Sequence, residues 1–125
     1  MTTWLWIMGG GAVGTGLRYA TTLGSQRLWG NAFPYGTLAV NLIGCFLIGL
    51  VATSFTSQES AIREPIRLAI FVGLFGGYTT FSSFGYETWA LFEQGHVSRA
   101  ALYVALSNIF GLLAVWCGWR IAQAI

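Results

Sequence analysis

The sequence contains no lysine and no aspartate, and charged side chains make up only 8% of its 125 residues. Six arginines and four glutamates leave a formal net charge of +2. Soluble domains usually carry about 25% charged residues. With 55% hydrophobic residues and a mean hydropathy of +0.65, this composition indicates an integral membrane protein. A nucleic-acid surface needs a clustered basic stripe, which six scattered arginines do not form, so no nucleic-acid partner is expected.

Reactive side chains are also scarce. Cys45 and Cys117 each lie in an apolar run without metal-ligand or redox spacing, which predicts two buried apolar residues. The single histidine, His96, lies in a predicted loop, and a Ser-His-Asp triad lacks its aspartate. An intramembrane hydrolase is therefore disfavoured, and no enzyme is predicted. A cleaved signal peptide is not expected either, because no charged region precedes the first apolar run and Arg18 lies inside it.

The apolar residues fall into four stretches that each reach the length of about 20 residues needed to span a bilayer. A single all-α membrane domain covering residues 1–125 is predicted, with short connections that hold the turn and charge signals. The predicted spans are residues 3–23, 35–55, 65–92 and 98–121.

The arginines do not favour one orientation in the membrane. If both termini lie on the same side, three arginines flank each side of the bilayer, so the positive-inside rule gives no preference. The two groups are Arg63, Arg67 and Arg120 on one side, and Arg18, Arg27 and Arg99 on the other. One chain could then insert both ways and form an antiparallel homodimer, giving the inverted symmetry that many transporters build from internal repeats.

The stretch Gly9–Gly14, GGGAVG, satisfies the dinucleotide-binding pattern G-x-G-x-x-G. That reading also needs a strand, a helix and an acidic residue about 20 positions later, whereas the first acidic residue is Glu59. Gly10 and Gly14 are four residues apart and share a helix face, where they let another backbone approach closely. Helix packing is therefore the favoured interpretation.

Several polar residues lie within the predicted spans, and an ionisable residue at membrane depth is a functional hypothesis by default. Arg18 could instead extend to the nearby interface, and Asn41 could be an interhelical hydrogen bond or a ligand. Thr37 and Asn41 share one face of the second span, and Tyr103 and Ser107 repeat that spacing on the fourth. Two such stripes suggest a narrow polar track, although core packing alone also explains the Tyr103 and Ser107 pair.

The third span is interrupted by GLFGGYTTFSSFGYE, residues 73–87. Gly76 and Gly77 predict a break near mid-membrane, where unpaired backbone survives only inside protein or beside a cavity. Carbonyls freed there could coordinate a cation. Phe81 and Phe84 share a face, which usually means packing, but the positive edge of an aromatic ring can also face an anion.

At these residues the chain resembles the Fluc, or CrcB, family of fluoride channels over nearly its full length. GGAVGTGLRY in the first span, PYGTLAVNLIGCFLIG in the second and GGYTTFSSF in the third carry the likeness. The last is close to the family's GGxTTFSTF signature and departs from it only at Ser83. The fourth span matches more loosely, with Gly111 where some relatives have a hydroxyl.

The resemblance implies a dual-topology homodimer with two antiparallel pores and passive export of fluoride across the bacterial inner membrane. It implies that Phe81 and Phe84 form an aromatic gate, that Asn41 is a pore-lining amide, and that Gly76 and Thr79 give carbonyls to a sodium ion shared by two subunits. The polar track would comprise Thr37, Thr80, Ser83, Glu87, Tyr103 and Ser107, with Arg18 in a structural or electrostatic role.

Two alternatives remain open. A small dual-topology multidrug or guanidinium exporter has a similar length, but proton-coupled exporters of that kind rely on a carboxylate in the first helix, where this chain has Arg18 and no acid. A purely structural assembly protein would not need a broken third span and should pass no ions.

Overall fold

The computed structural model describes residues 2–56 and 64–125, and within these ranges the chain is helical and has no strand. The all-α prediction is confirmed for this part of the chain. Glu59 and Arg63, predicted in the connection between the second and third spans, lie outside the described residues. Three long helices are α1 (Thr2–Trp29), α2 (Tyr35–Thr56) and α6 (Val97–Ala124).

Three described segments are long and apolar enough to cross a membrane: Tyr35–Thr53, Glu64–Glu93 and Val97–Ala124. The chain is therefore a multi-pass membrane protein. The first predicted span, residues 3–23, lies within α1, which has 28 residues but is not one of the three segments that are apolar enough. Its many glycines and threonines, together with Arg18, make α1 less apolar than the others.

The third span consists of several short elements. It begins with α3 (Glu64–Leu68), continues as a π-helical segment (Ala69–Phe75) and α4 (Gly76–Tyr78), and resumes after the break as α5 (Phe81–Glu93). Thr79 and Thr80 between α4 and α5 have extended backbones, with φ/ψ of −84°/163° and −154°/118°.

The break predicted at Gly76 and Gly77 was placed wrongly by three residues. Both glycines are helical, and the helix ends only at Thr79. Glycine lowers helix propensity by only about 1 kcal/mol relative to alanine, and Gly77 packs against the backbone of α1 at Gly11. The helix ends at Thr79 because the next backbone N–H, that of Thr80, donates to the side chain of Asn41 on α2.

Glycines form the contact between α1 and the first half of the third span. A side chain at Gly10 or Gly14 would collide with the carbonyls of Ala69 or Leu74, and one at Gly73 or Gly77 would collide with α1 in the same way. Both pairs are spaced by four residues, so each presents one flat face to the other. The interpretation of GGGAVG as a packing motif is confirmed.

Helices α2 and α6 form the most extensive helix pair, and α5 packs on α6 beside it. Small residues again allow close approach, because side chains at Gly49 and Gly118 would meet the backbones of α6 and α2. A buried cluster of Leu91, Ala100 and Tyr103 joins α5 to α6. Cys45 is partly buried, whereas the prediction of burial for Cys117 is wrong, because its side chain is exposed on the outer face of α6.

Candidate functional site

Asn41 and Thr80 form a reciprocal pair at the break. The Asn41 amide nitrogen Nδ2 donates to the Thr80 carbonyl at 3.1 Å, and the Thr80 backbone N–H donates to Asn41 Oδ1 at 2.8 Å. A side-chain amide thus satisfies the backbone groups that the interrupted helix leaves unpaired. The predicted interhelical bond of Asn41 is present, and it fixes the position of the break.

The hydroxyl groups after the break cap α5. Thr80 Oγ1 accepts the backbone N–H of Ser83 at 3.2 Å and donates to Ser83 Oγ at 3.0 Å, while Ser82 Oγ lies 3.3 Å from the same oxygen. This is the usual N-cap arrangement of a threonine. Thr80 and Ser83, two residues of the predicted track, therefore contact each other directly.

Glu87 lies two turns along α5 from the cap. Thr37 Oγ1 donates to its Oε1, and the Tyr103 hydroxyl donates to its Oε2, both at 2.8 Å. The three side chains come from α2, α5 and α6, so the predicted stripes of α2 and α6 do meet. Both carboxylate oxygens are accepting, and the hydroxyl donors of Thr37 and Tyr103 are engaged.

Aromatic rings connect this carboxylate cluster to the break. The ring centroids of Phe81 and Phe84 lie 5.6 Å apart at 45°, and those of Phe84 and Tyr103 lie 5.2 Å apart at 59°. Tyr103 is fully buried, with an exposed fraction of 0%, whereas Phe81 is 83% exposed. Phe33 from the connection before α2 contacts Tyr103 edge to face at 5.5 Å.

Two cavities border this group of residues, one lined in part by Glu87 and the other by Phe81 and Phe84. We call the first the end cavity, because it opens beside the connections that precede α2 and α6; its volume is about 340 Å³. The second, the central cavity, lies beside the break and has a volume of about 390 Å³. The polar and charged residues of the end cavity are Thr22, Gln26, Asn31, Tyr35, Thr37, Glu87, Gln94, His96 and Arg99. The central cavity includes Asn41, Thr80, Phe81, Phe84, Ser107 and Asn108.

Ser107 faces the central cavity with its hydroxyl unsatisfied. Its Oγ is buried and finds no hydrogen-bond partner within the described part of the chain. Buried polar groups are nearly always paired, so an orphaned hydroxyl beside a cavity suits a bound polar species. Tyr103 lies one turn earlier on α6 and donates instead to Glu87, which lines the end cavity.

The carbonyls of Gly76 and Thr79 have each lost their regular helical donor. The donor for Gly76, the Thr80 N–H, is taken by Asn41, and the donor for Thr79, the Ser83 N–H, is taken by the Thr80 hydroxyl. The sequence predicted that carbonyls would be freed because the helix unwinds at Gly76 and Gly77. Both glycines are helical, so this predicted cause is wrong. The oxygens are released by the break that follows, and free carbonyls suit a hard cation.

Arg18 lies apart from both cavities. It is half-buried on α1, one turn after Gly14, and forms no hydrogen bond or ion pair with the described residues.

The end cavity holds residues that the sequence did not single out, among them Gln26, Asn31 and Arg99. They lie at the ends of α1 and α6 and in the connection between α1 and α2, where polar residues are ordinary. The only available signal was that polar residues close to both connections could meet at one end of the helices.

Comparison with known proteins gives a consistent result. Residues 5–119 match the family model described as CrcB-like protein, Camphor Resistance (CrcB). A protein of Geobacter sulfurreducens named Fluoride-specific ion channel FluC is 43% identical over 125 residues, covering 100% of both chains. Proteins with the same name are 42% identical in Acidobacterium capsulatum, over 98% of this chain and 97% of the relative, and 43% identical in Rhizobium etli, over 93% and 92%.

Proposed function

The chain belongs to the CrcB family, and from this premise we propose that it is a fluoride-selective channel for passive export across the bacterial inner membrane. The observation that carries the proposal is the Asn41–Thr80 pair at the break. It places neutral amide and hydroxyl groups beside a cavity at the middle of an apolar span. The full-length relatives that carry the name of a fluoride channel support the choice of ion.

Fluoride is small and strongly hydrated, so its path must replace water with other hydrogen-bond donors. In the proposed path the ion moves between the end and central cavities past Thr37, Tyr103 and Phe84. Along it, the donors are the Asn41 amide and the hydroxyls of Thr80, Ser83 and Ser107. Neutral donors suit conduction because each site must be weak enough to release the ion.

The carboxylate of Glu87 controls two of these donors. Thr37 and Tyr103 donate to it at 2.8 Å, and each hydroxyl has a single proton to donate. A passing fluoride therefore competes with Glu87 for the same donors. This competition keeps the two hydroxyls oriented between ions and prevents them from holding an ion too tightly.

The rings of Phe81 and Phe84 form the aromatic part of the proposed path. Both border the central cavity, and they are tilted by 45° rather than stacked. The positive edge of such a ring can stabilise an anion that has lost part of its water. Packing alone explains Phe84, which contacts Tyr103, but leaves the exposed Phe81 unexplained.

The working unit is proposed to be an antiparallel homodimer with two pores. Support comes from the balanced arginines and from Phe81 and Asn108, which border the central cavity yet remain exposed on one chain. The carbonyls of Gly76 and Thr79 would hold a sodium ion between the subunits. When bound, the ion supplies a fixed positive charge near the break and links the two copies.

The fit of a small multidrug or guanidinium exporter is poorer. Its coupling acid is expected on the first helix, but α1 carries no acidic residue. Glu87 is the only described carboxylate that borders either cavity, and both its oxygens accept hydroxyl bonds. A proton-coupled mechanism would need this carboxylate to be released from Thr37 and Tyr103.

Purified protein in liposomes tests the proposal. Vesicles loaded with potassium fluoride or potassium chloride are made permeable to potassium, and anion efflux is recorded with ion-selective electrodes. We expect fast fluoride efflux, no chloride efflux above protein-free vesicles, and no requirement for a proton gradient. Equal fluoride and chloride efflux would contradict the proposed selectivity for fluoride. Substrate uptake driven only by a proton gradient would favour the multidrug or guanidinium exporter.

A further inference from the structure

The end cavity combines a fixed cation, a fixed carboxylate and a titratable group. Arg99 lies in the first turn of α6, and Glu87 on α5 lines the same cavity as Arg99 and His96. The Arg99 guanidinium donates a long, exposed hydrogen bond of 3.4 Å to the carbonyl of Ala32. His96 is the residue that precedes α6, and it is exposed.

The remaining lining is neutral near pH 7. Helix α1 contributes Thr22 and Gln26, the connection before α2 contributes Asn31, and the turn after α5 contributes Gln94. The phenol of Tyr35 also lines the cavity. Two nearby charged residues, Arg27 and Glu93, are exposed and do not line the cavity.

The charge of the cavity therefore depends on one side chain. With Arg99 positive and the Glu87 carboxylate negative, the two charges cancel as long as His96 is neutral. When His96 is protonated, the cavity has a net charge of +1. Histidine ordinarily changes its charge in the physiological pH range.

We propose that the end cavity is an anion-collecting antechamber of the fluoride path, and that protonation of His96 switches it from electrically neutral to attractive for anions. This inference rests on the proposed function, because it concerns the entrance to the same path. A charged cavity with low-dielectric walls concentrates counter-ions and raises their rate of entry. Acidification would thus increase fluoride entry without any change of fold.

The neutral amides make the cavity a collecting site rather than a tight binding site. Gln26, Asn31 and Gln94 can donate hydrogen bonds to a hydrated anion, but they add no charge. Glu87 stands at the inner end beside Thr37 and Tyr103. The attraction is therefore strongest at the outer end, where Arg99 and His96 lie, and an ion is not trapped before it reaches the track.

Fluoride efflux from liposomes tests the switch, with the same pH on both sides of the membrane. Fluoride is kept low, so that entry limits the rate, and protein-free vesicles at each pH correct for uncharged hydrogen fluoride. From pH 8 to pH 6, wild-type efflux is expected to rise about two- to fivefold. The rise should be clear at an ionic strength of about 10 mM and vanish at about 1 M, where the Debye length falls from about 30 Å to about 3 Å.

Three variants separate the antechamber from other causes of pH dependence. His96→Gln should lose the rise, His96→Arg should be fast at both pH values, and Glu93→Gln, on an exposed carboxylate outside the cavity, should keep the wild-type response. Equal pH responses in wild type and His96→Gln would overturn the inference, as would a flat wild-type response. If no variant conducts fluoride at any pH, the proposed function itself fails, which is a different result from pH-independent flux.

Discussion

The two halves of the third span differ in what they contact. Before the break, Gly73 and Gly77 press against the backbone of α1, and a 3.2 Å hydrogen bond between the hydroxyls of Thr21 and Tyr78 lies beside this glycine contact. After the break, α5 presents Phe84 and Glu87 toward α2 and α6, where hydroxyl and carboxylate groups meet, and Ser83 bonds to the Thr80 hydroxyl that caps the helix. One membrane span therefore combines an apolar half that packs closely on α1 with a second half that has a polar face.

The break separates these two roles. Its backbone groups are satisfied by Asn41, a residue of α2, so the polar half is positioned from outside the span. The first half is positioned mainly by close packing of glycines against the backbone of α1. Substitutions in the first half should therefore act on folding, and substitutions in the second half should act on ion flow.

The largest expected effect is in the apolar half. Gly77→Ala places a methyl group against the carbonyl of Gly11, and relief requires the two backbones to move apart. We expect a loss of at least about 2 kcal/mol of stability, seen as aggregation on size exclusion in detergent and a lower melting temperature. Gly16→Ala, on α1, is the matched control, because a methyl group there meets nothing within 4 Å; equal damage from both variants would contradict the packing account.

Gly76→Ala and Gly76→Val examine the proposed sodium site. Within one chain, the first side-chain carbon at Gly76 would meet only the Phe71 carbonyl, at 4.0 Å, but it would be crowded wherever a second copy or an ion approaches. We expect the valine variant to fold as a single chain while its dimerisation loses its dependence on sodium. Wild-type dimerisation that is equal in sodium and in a large organic cation would contradict the site.

The next largest effect concerns orientation in the membrane. Two or three lysines added after Ile125 should bias the C-terminus toward the cytoplasm and deprive each chain of its inverted partner. Fluoride resistance of cells should fall, and it should return when an oppositely biased copy is expressed as well. Ser57→Cys, outside the described residues, should be labelled from both sides in the unmodified protein; labelling from one side only would contradict dual topology.

A smaller effect is expected in the polar half. Leucine at Phe81 or Phe84 keeps bulk but removes the aromatic edge, which is worth about 0.5–1.5 kcal/mol. This corresponds to roughly a two- to tenfold loss of fluoride efflux, with folding preserved. Phe92→Leu is the matched control, since Phe92 lies on α5 but borders neither cavity. A normal rate of fluoride efflux in both the Phe81 and the Phe84 variants would show that the two rings only pack against their neighbours.

The sequence predicted the helices better than their interruption. Apolar length alone located α2, the third span and α6, and residue spacing correctly placed Thr37 with Asn41 on one face. The position of the break was missed because it depends on a partner: Asn41 captures the N–H of Thr80, 39 residues later. Glycine content suggested Gly76 and Gly77, but those residues stay helical beside α1.

The contents of the two cavities show the same limit. Four-residue spacing indicated that Tyr103 and Ser107 share a face, but not that one hydroxyl binds Glu87 while the other stays unpaired. Arg99 and His96 gave no signal because surface residues near a helix start are common. Side-chain partners across helices depend on tertiary packing, which periodicity does not contain.

The most direct test of the central claim, that Asn41 at the break serves the anion path, is fluoride efflux from liposomes containing Asn41→Asp. The substitution puts a carboxylate where a donor is required, and a buried unpaired charge is costly and repels anions. With Gln123→Glu at the far end of α6 as the matched amide-to-acid control, we predict near-complete loss of efflux in Asn41→Asp, an unchanged elution volume, and normal efflux in the control. Normal fluoride efflux from a correctly folded Asn41→Asp protein would contradict the account.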